Sequence, residues 1–161
     1  MSKLQLYISA RAIPGEMLTF AAPLPTVALA AEAAGVAAEV IVKTLILHDG
    51  SARYVAVVLA GNQRIDFSKV QQAAGARKMK FAPHADVLKV TGYPAGGTPP
   101  FGFDQPLLTL VDRSVLEPPL VFAGGGLPQL LLKIAPAALV TAAQATVGDF
   151  AQRIDPVGSA T

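Results

Sequence analysis

The chain has 161 residues, of which 52% are hydrophobic and 15% charged, with a net charge of +2 and no cysteine. That length suits one domain, and the apolar content excludes a disordered chain, because there is enough surface to bury against the entropy of folding. The missing cysteines exclude disulfides, thiolate metal sites and cysteine nucleophiles, while the mild basic charge suits an anionic partner without specifying one.

Residues 1–25 read as irregular, punctuated by Pro14-Gly15 and Pro23-Leu24-Pro25. The start is not a charged head followed by an apolar segment, and no stretch reaches the roughly 20 apolar residues of a spanning helix. The expectation is a soluble, cytoplasmic protein. Thr26 is placed to cap a helix from Val27, with Gly35 as its stop. Glu39 to Leu47 is apolar and β-branched, which predicts a strand buried on both faces. His48-Asp49-Gly50-Ser51 supplies turn residues, and Tyr54 to Ala60 the next strand, so the two form an antiparallel hairpin. Asp66 is placed to cap a helix over Phe67 to Ala74, stopped by Gly75.

Lys78 to Ala82 alternates like an edge strand, and a short helix is expected from His84 to Val90. Thr91 to Phe103 is a loop dense in glycine and proline. Strands resume at Leu107 to Asp112 and Leu120 to Ala123, followed by the glycine loop Gly124-Gly125-Gly126 and a strand at Leu130 to Ile134. Pro136 opens a last helix, Ala137 to Ala145, and the tail from Asp155 is expected to fray. The fold class is mixed α/β, as one domain over residues 1–161.

Few residues stand out as chemical. Lys43 lies in an otherwise apolar strand, where an unpaired ammonium is costly. It either snorkels to the surface or faces a cleft, and spacing alone favours the snorkel. In Gly96-Gly97-Thr98-Pro99-Pro100, glycine permits close backbone approach to a ligand and proline holds the shape. Exposed N–H groups there suit an anion or an oxyanion, although composition alone favours an ordinary crossover loop. His48 and His84 read as loop residues and make no metal site. No serine sits in a nucleophile elbow, and neither a Walker A loop nor a dinucleotide fingerprint is present. Lys69, Arg77, Lys78, Lys80 and Lys89, with only Asp86 against them, form a basic segment that suits phosphates about as well as it suits a solvated face.

These pieces, in this order, resemble the YbaK/prolyl-tRNA-synthetase-associated editing domain family from about Thr26 to Phe150. The resemblance rests on Ala30 to Val36, Ile41-Val42-Lys43-Thr44-Leu45, and Gly61 to Asp66 with Lys69. It continues through Thr91-Gly92-Tyr93, the Gly96-to-Gly102 loop with its Gly-x-x-x-Pro pattern, Val111-Asp112-Arg113 and Phe122-Ala123-Gly124-Gly125. It implies a curved, mixed, barrel-like sheet flanked by helices, and hydrolysis of the ester between a wrong amino acid and a tRNA, chiefly proline tRNA carrying Cys or Ala.

By the resemblance, Lys43 is the pocket lysine that engages the terminal adenosine or phosphate, and Gly96, Gly97 and Thr98 hold the scissile carbonyl through their amides. Pro100, Gly102, Asp112, Gly124 and Gly125 are expected at the substrate, and Lys69, Arg77, Lys78 and Lys80 at tRNA phosphates. No cofactor and no metal are expected. The partners are the aminoacylated tRNA end and, in a complex, a synthetase, with no membrane and no DNA. The chain departs from the family's alanine-specific branch in having no histidine at Phe122 to Gly126. It departs from the bacterial cysteine-specific branch in having Leu130-Leu131-Leu132 where that branch has an aspartate. The alternatives are a non-catalytic module that holds a nucleotide or tRNA end, and a structural partner of a synthetase.

Overall fold

A computed structural model describes residues 1–153. The expected tail from Asp155 lies outside the described residues. Five helices of eight residues each are present among them: α1 (Lys3–Ala10), α2 (Val27–Ala34), α3 (Phe67–Ala74), α4 (His84–Thr91) and α5 (Pro136–Ala143). Helices this short are marginal alone and depend on packing and caps. Thr26 and Asp66 do cap α2 and α3, accepting from the N–H groups of Leu29 and Lys69 at 3.1 Å. Gly35 and Gly75 end the same helices in the left-handed conformation.

The strands are β1 (Gly15–Thr19), β2 (Val42–His48), β3 (Tyr54–Ala60), β4 (Lys80–Phe81), β5 (Leu108–Asp112), β6 (Val121–Gly124), β7 (Leu130–Ile134) and β8 (Thr146–Gly148). A five-stranded mixed sheet runs β4-β2-β3-β5-β8, and a three-stranded antiparallel sheet runs β1-β7-β6. β2 and β3 form the expected antiparallel hairpin, with Lys43 opposite Leu59. β5 adds to β3, and β8 to β5, in parallel. A parallel bridge from Ile41 to Phe122 joins the two sheets, which gives the core its curl without closing a barrel.

The pleat divides the apolar residues of the larger sheet between its faces. Val42, Val58 and Val111 enter a core with Leu4, Tyr93, Leu132 and Leu139. Leu47, Val57, Leu59 and Leu110 pack on the other face against Val70 of α3. β3 is therefore buried on both faces, as its continuous apolar run requires.

Three expectations change. The first 25 residues hold α1 and β1 rather than irregular chain. Ser2 caps α1, its hydroxyl accepting from the Gln5 N–H at 3.2 Å, and Leu4 and Ile8, one helical turn apart, both enter the core. The prolines break the chain only after Ile13. The strand expected from Glu39 begins at Val42, because Ala38–Val40 forms a 3-10 turn, and its residues Lys43 to Leu45 are only half-buried. His48 is the last residue of β2, half-buried and stacked on Tyr54, with ring centroids 5.9 Å apart. The turn itself is tied by Asp49, which accepts from both the N–H and the hydroxyl of Ser51. β8 was not foreseen.

Candidate active site

From Lys43 to Leu45 the outer edge of β2 has no strand beside it: the bridge to Phe122 ends at Ile41, and β4 pairs only with Leu47 and His48. That gap opens a cavity of about 180 Å³. Its walls come from the start of α2 (Thr26, Val27, Ala30), the end of β6 (Gly124), the start of β7 (Leu130, Leu131) and the Ala95-to-Thr98 loop. Three distant stretches of sequence thus place Lys43, Gly96, Gly97, Thr98 and Gly124 around one space.

Lys43 lines this cavity rather than the outer surface. Its ammonium donates to the Gly61 carbonyl at 3.3 Å, and among the described residues no carboxylate pairs with it. Burial, and secondarily the charge of Arg64, push its pKa below the usual lysine value. A cation held in a partly dry cavity without a counter-charge is arranged to meet an anion or a developing negative charge.

The loop opposite is a single 3-10 turn, Ala95–Gly97. The Gly97 N–H is already used, donating to the Pro94 carbonyl at 2.9 Å, while the Gly97 carbonyl accepts from Gly126 N–H at 2.8 Å. The Thr98 hydroxyl also donates to Pro94, at 2.9 Å. Among the described residues, the amides of Gly96 and Thr98 find no acceptor. The three amides expected from the sequence therefore reduce to two free donors. A Cβ at Gly96 would meet nothing within 4 Å, whereas one at Gly124 would run into the Thr98 carbonyl. Gly124 is thus small so that the loop can lie against β6.

Other expected residues lie elsewhere. Gly125 does not line the cavity; its N–H closes the β6–β7 turn onto the Leu130 carbonyl at 3.0 Å. Pro100 is buried beside the site, and Gly102, at φ 82°, lies against Tyr7 and Tyr93. Asp112 is 5% exposed and fully engaged. One carboxylate oxygen accepts from the N–H and hydroxyl of Ser114 (3.0 and 2.6 Å), the other from the N–H groups of Phe150 and Ala151 (2.7 and 3.1 Å). It ties the end of β5 to the segment after β8 and has no oxygen left for a substrate. Lys69 bonds the Ala151 carbonyl at 3.1 Å, on a different part of the surface from the cavity. Arg77, Lys78 and Lys80 are exposed.

Thr44 went unremarked in the sequence. It lines the cavity, and its hydroxyl is buried with no partner among the described residues. Its signal was a polar residue inside an apolar strand, overshadowed by Lys43 beside it. The contributions of Val27, Leu130 and Leu131 had no sequence signal beyond hydrophobicity.

Residues 21–142 match the family described as aminoacyl-tRNA editing domain. A protein of Enterococcus faecalis provisionally named a Cys-tRNA(Pro)/Cys-tRNA(Cys) deacylase, EbsC, is 28% identical over 122 residues, covering 76% of this chain and 73% of its own. The uncharacterised YwhH of Bacillus subtilis is 31% identical over 111 residues, 69% of this chain and 70% of its own. Among solved structures, the hypothetical protein APE2540 superposes with a TM-score of 0.87 at 36% identity, over 94% of this chain and 100% of that one. A structure provisionally described as a trans-editing enzyme for prolyl tRNA synthetase gives 0.87 at 28%, over 94% and 96%. The chain belongs to the aminoacyl-tRNA editing domain family.

Proposed function

We propose that the chain is a free-standing deacylase that removes a wrongly attached amino acid from tRNA in the cytoplasm, acting on mischarged proline tRNA of the Cys or Ala class. What supports this reading is that Lys43, which has no carboxylate partner among the described residues, lines one cavity with Gly96 and Thr98, whose amides find no acceptor among those residues. The names borne by the Enterococcus relative and by the trans-editing structure support the substrate class.

The chemistry asks little of side chains, because an aminoacyl ester is already activated. Water adds to the ester carbonyl carbon, and the carbonyl oxygen gains negative charge facing the Gly96 and Thr98 N–H groups and Lys43. The bond to the ribose oxygen then breaks, that oxygen takes up a proton, and free amino acid and tRNA separate. A ribose hydroxyl or a cysteine thiol of the substrate orients the attacking water. The protein supplies position and oxyanion stabilisation. Val27, Ala30, Leu130 and Leu131 form an apolar wall for a small side chain. Exposed Arg77, Lys78 and Lys80 meet tRNA phosphates, and the acceptor end, alone or within a synthetase complex, is what the chain engages.

The test is incubation with a panel of mischarged tRNAs and measurement of released amino acid. Release from Cys- or Ala-charged proline tRNA, and little from correctly charged Pro-tRNA, is expected. Tight tRNA binding with no release would replace the enzyme by a binding module.

A further inference from the structure

The segment that carries Gly96 and Thr98 has no strand to hold it: between α4 and β5 its one regular piece is the 3-10 turn Ala95–Gly97. Its base is tied instead. The Asp104 N–H donates to the Thr91 carbonyl at 3.0 Å, and the Lys3 ammonium of α1 donates to the Asp104 carboxylate at 2.6 Å and to the Gly92 carbonyl at 3.4 Å. Gly92, at φ 81°, lies against this tie, where a Cβ would strike both the ammonium and the carboxylate. Tyr93 follows directly. Its N–H donates to the Thr91 hydroxyl at 3.0 Å, the Lys3 ammonium stands 4.7 Å from its ring centroid, and the residue is buried in the core with Leu4. The ring also meets the second glycine loop: a Cβ at Gly126 would stand 3.1 Å from a Tyr93 ring carbon and 3.3 Å from Leu4. The Gly126 N–H in turn holds the Gly97 carbonyl at 2.8 Å, between the two unpaired amides.

We propose that Tyr93, braced by Lys3 and Leu4 of α1, is the positioning residue for the oxyanion donors. The proposal rests on the deacylase reading above. Neither Tyr93 nor α1 lines the cavity, so both act through the loop and not on the substrate. α1 also lies outside residues 21–142, which match the family. Donor amides serve an oxyanion only when they are fixed in place before the charge develops, and a misplacement of about 1 Å costs on the order of 100-fold in rate. Glycine at 96 and 97 frees the backbone and cannot supply that rigidity itself. The Tyr93 ring supplies it by bulk. It fills the space between Leu4 and Gly126, and so sets where the Gly126 N–H, and with it the Gly97 carbonyl, stands relative to the loop's tied base. The Tyr93 hydroxyl, with no partner among the described residues, has no part in this.

The experiment compares the full-length protein with Tyr93→Leu, Tyr93→Phe, Lys3→Glu and the swapped pair Lys3→Glu with Asp104→Lys. It records single-turnover release from Cys- and Ala-charged proline tRNA with protein in excess, melting temperatures, and the NMR amide resonances of Gly96 and Thr98. Tyr93→Leu should lower the maximal rate about 10- to 100-fold at an unchanged half-saturating protein concentration, and should move both amides. Tyr93→Phe, which keeps the ring, should restore rate and resonances. A merely structural role would shrink the folded fraction, raising the half-saturating concentration and leaving the maximal rate alone. The Lys3–Asp104 pair is about half-exposed, so Lys3→Glu should cost only roughly 2- to 5-fold, recovered by the swap. Where the wild type releases amino acid, an unchanged maximal rate in Tyr93→Leu, or in Lys3→Glu should Tyr93→Leu not fold, overturns the proposal. Moved amides in a protein that releases nothing uphold the brace and refute the deacylase. Unmoved amides with no release refute both.

Discussion

Gly97 lies so close to Leu127 that a Cβ at residue 97 would stand 2.7 Å from the Leu127 carbonyl carbon and 2.9 Å from its nitrogen and oxygen. Main chain cannot yield as a flexible side chain can, so glycine here is a packing requirement between the two glycine loops. Gly96, one residue earlier, has open space around its Cβ position. The neighbours therefore respond differently to the same change. Gly97→Ala should destabilise the fold by about 1–3 kcal/mol, the usual cost of overpacking. Gly96→Ala should leave the denaturant midpoint unchanged yet slow deacylation, because its methyl group enters the cavity beside the donor. Paired urea titrations and single-turnover rates check both. Equal losses of stability would contradict the assignment.

Lys43 is a charge the fold tolerates at a cost. Its pKa is lowered by burial and by Arg64, so the folded state holds this proton less tightly than the unfolded chain does. The cost is full below the lowered value and fades as pH rises from there toward the usual 10.5. Lys43→Met, which keeps the stem and removes the charge, should be as stable as the wild type or more so at neutral pH. The gap should close as pH climbs through that window. Denaturant midpoints of both proteins against pH give the answer, and a variant less stable at pH 7 would mean that the ammonium is well paired.

Tyr93 offers an independent check on packing. It is 2% exposed, its hydroxyl has no partner among the described residues, and burial pushes its pKa to about 12. Tyr93→Phe removes a group whose desolvation costs about 1–3 kcal/mol when it is unsatisfied. The variant should hold or raise the melting temperature, which calorimetry reads directly. A clear fall would reveal a hydrogen bond to the hydroxyl.

The basic segment splits in two. Lys69 is occupied with the Ala151 carbonyl, while Arg77, Lys78 and Lys80 are exposed and make no ion pair among the described residues. Lys78→Gln with Lys80→Gln should weaken tRNA binding for every tRNA alike. The slope of log affinity against log salt should fall by about 0.7–0.9 per lost contact. Lys69→Gln should leave that slope unchanged. Filter binding between low and physiological salt separates the two.

Local signals were legible wherever one residue decides the geometry. Thr26, Gly35, Asp66 and Gly75 marked both ends of α2 and α3, and the apolar run of β3 marked a strand buried on both faces. α1 was not read because Leu4 and Ile8 are only one turn of pattern, and the prolines that follow dominated the segment. β8, at three residues, is held by its parallel pairing with β5 and has too little pattern of its own. From the residues alone Lys43 and the glycine loop were oddities that only the resemblance assigned to one site; in the fold, the gap in the β2 edge, a property of strand pairing, brings them together. Asp112 was misread for the same reason. The resemblance places its carboxylate at the substrate, whereas the chain returns 38 residues later and bonds it.

The central claim is that Lys43 and the Gly96-to-Thr98 loop form a hydrolytic site. The most direct measurement is single-turnover release of amino acid from Cys- and Ala-charged proline tRNA by the wild type and by Lys43→Met, with melting temperatures recorded alongside. The expected result is rapid release by the wild type and at least a hundredfold loss in a variant that remains folded, on the scale of about 100–1,000-fold for one oxyanion contact. Equal rates in the two proteins, or wild-type release no faster than spontaneous hydrolysis, would contradict it.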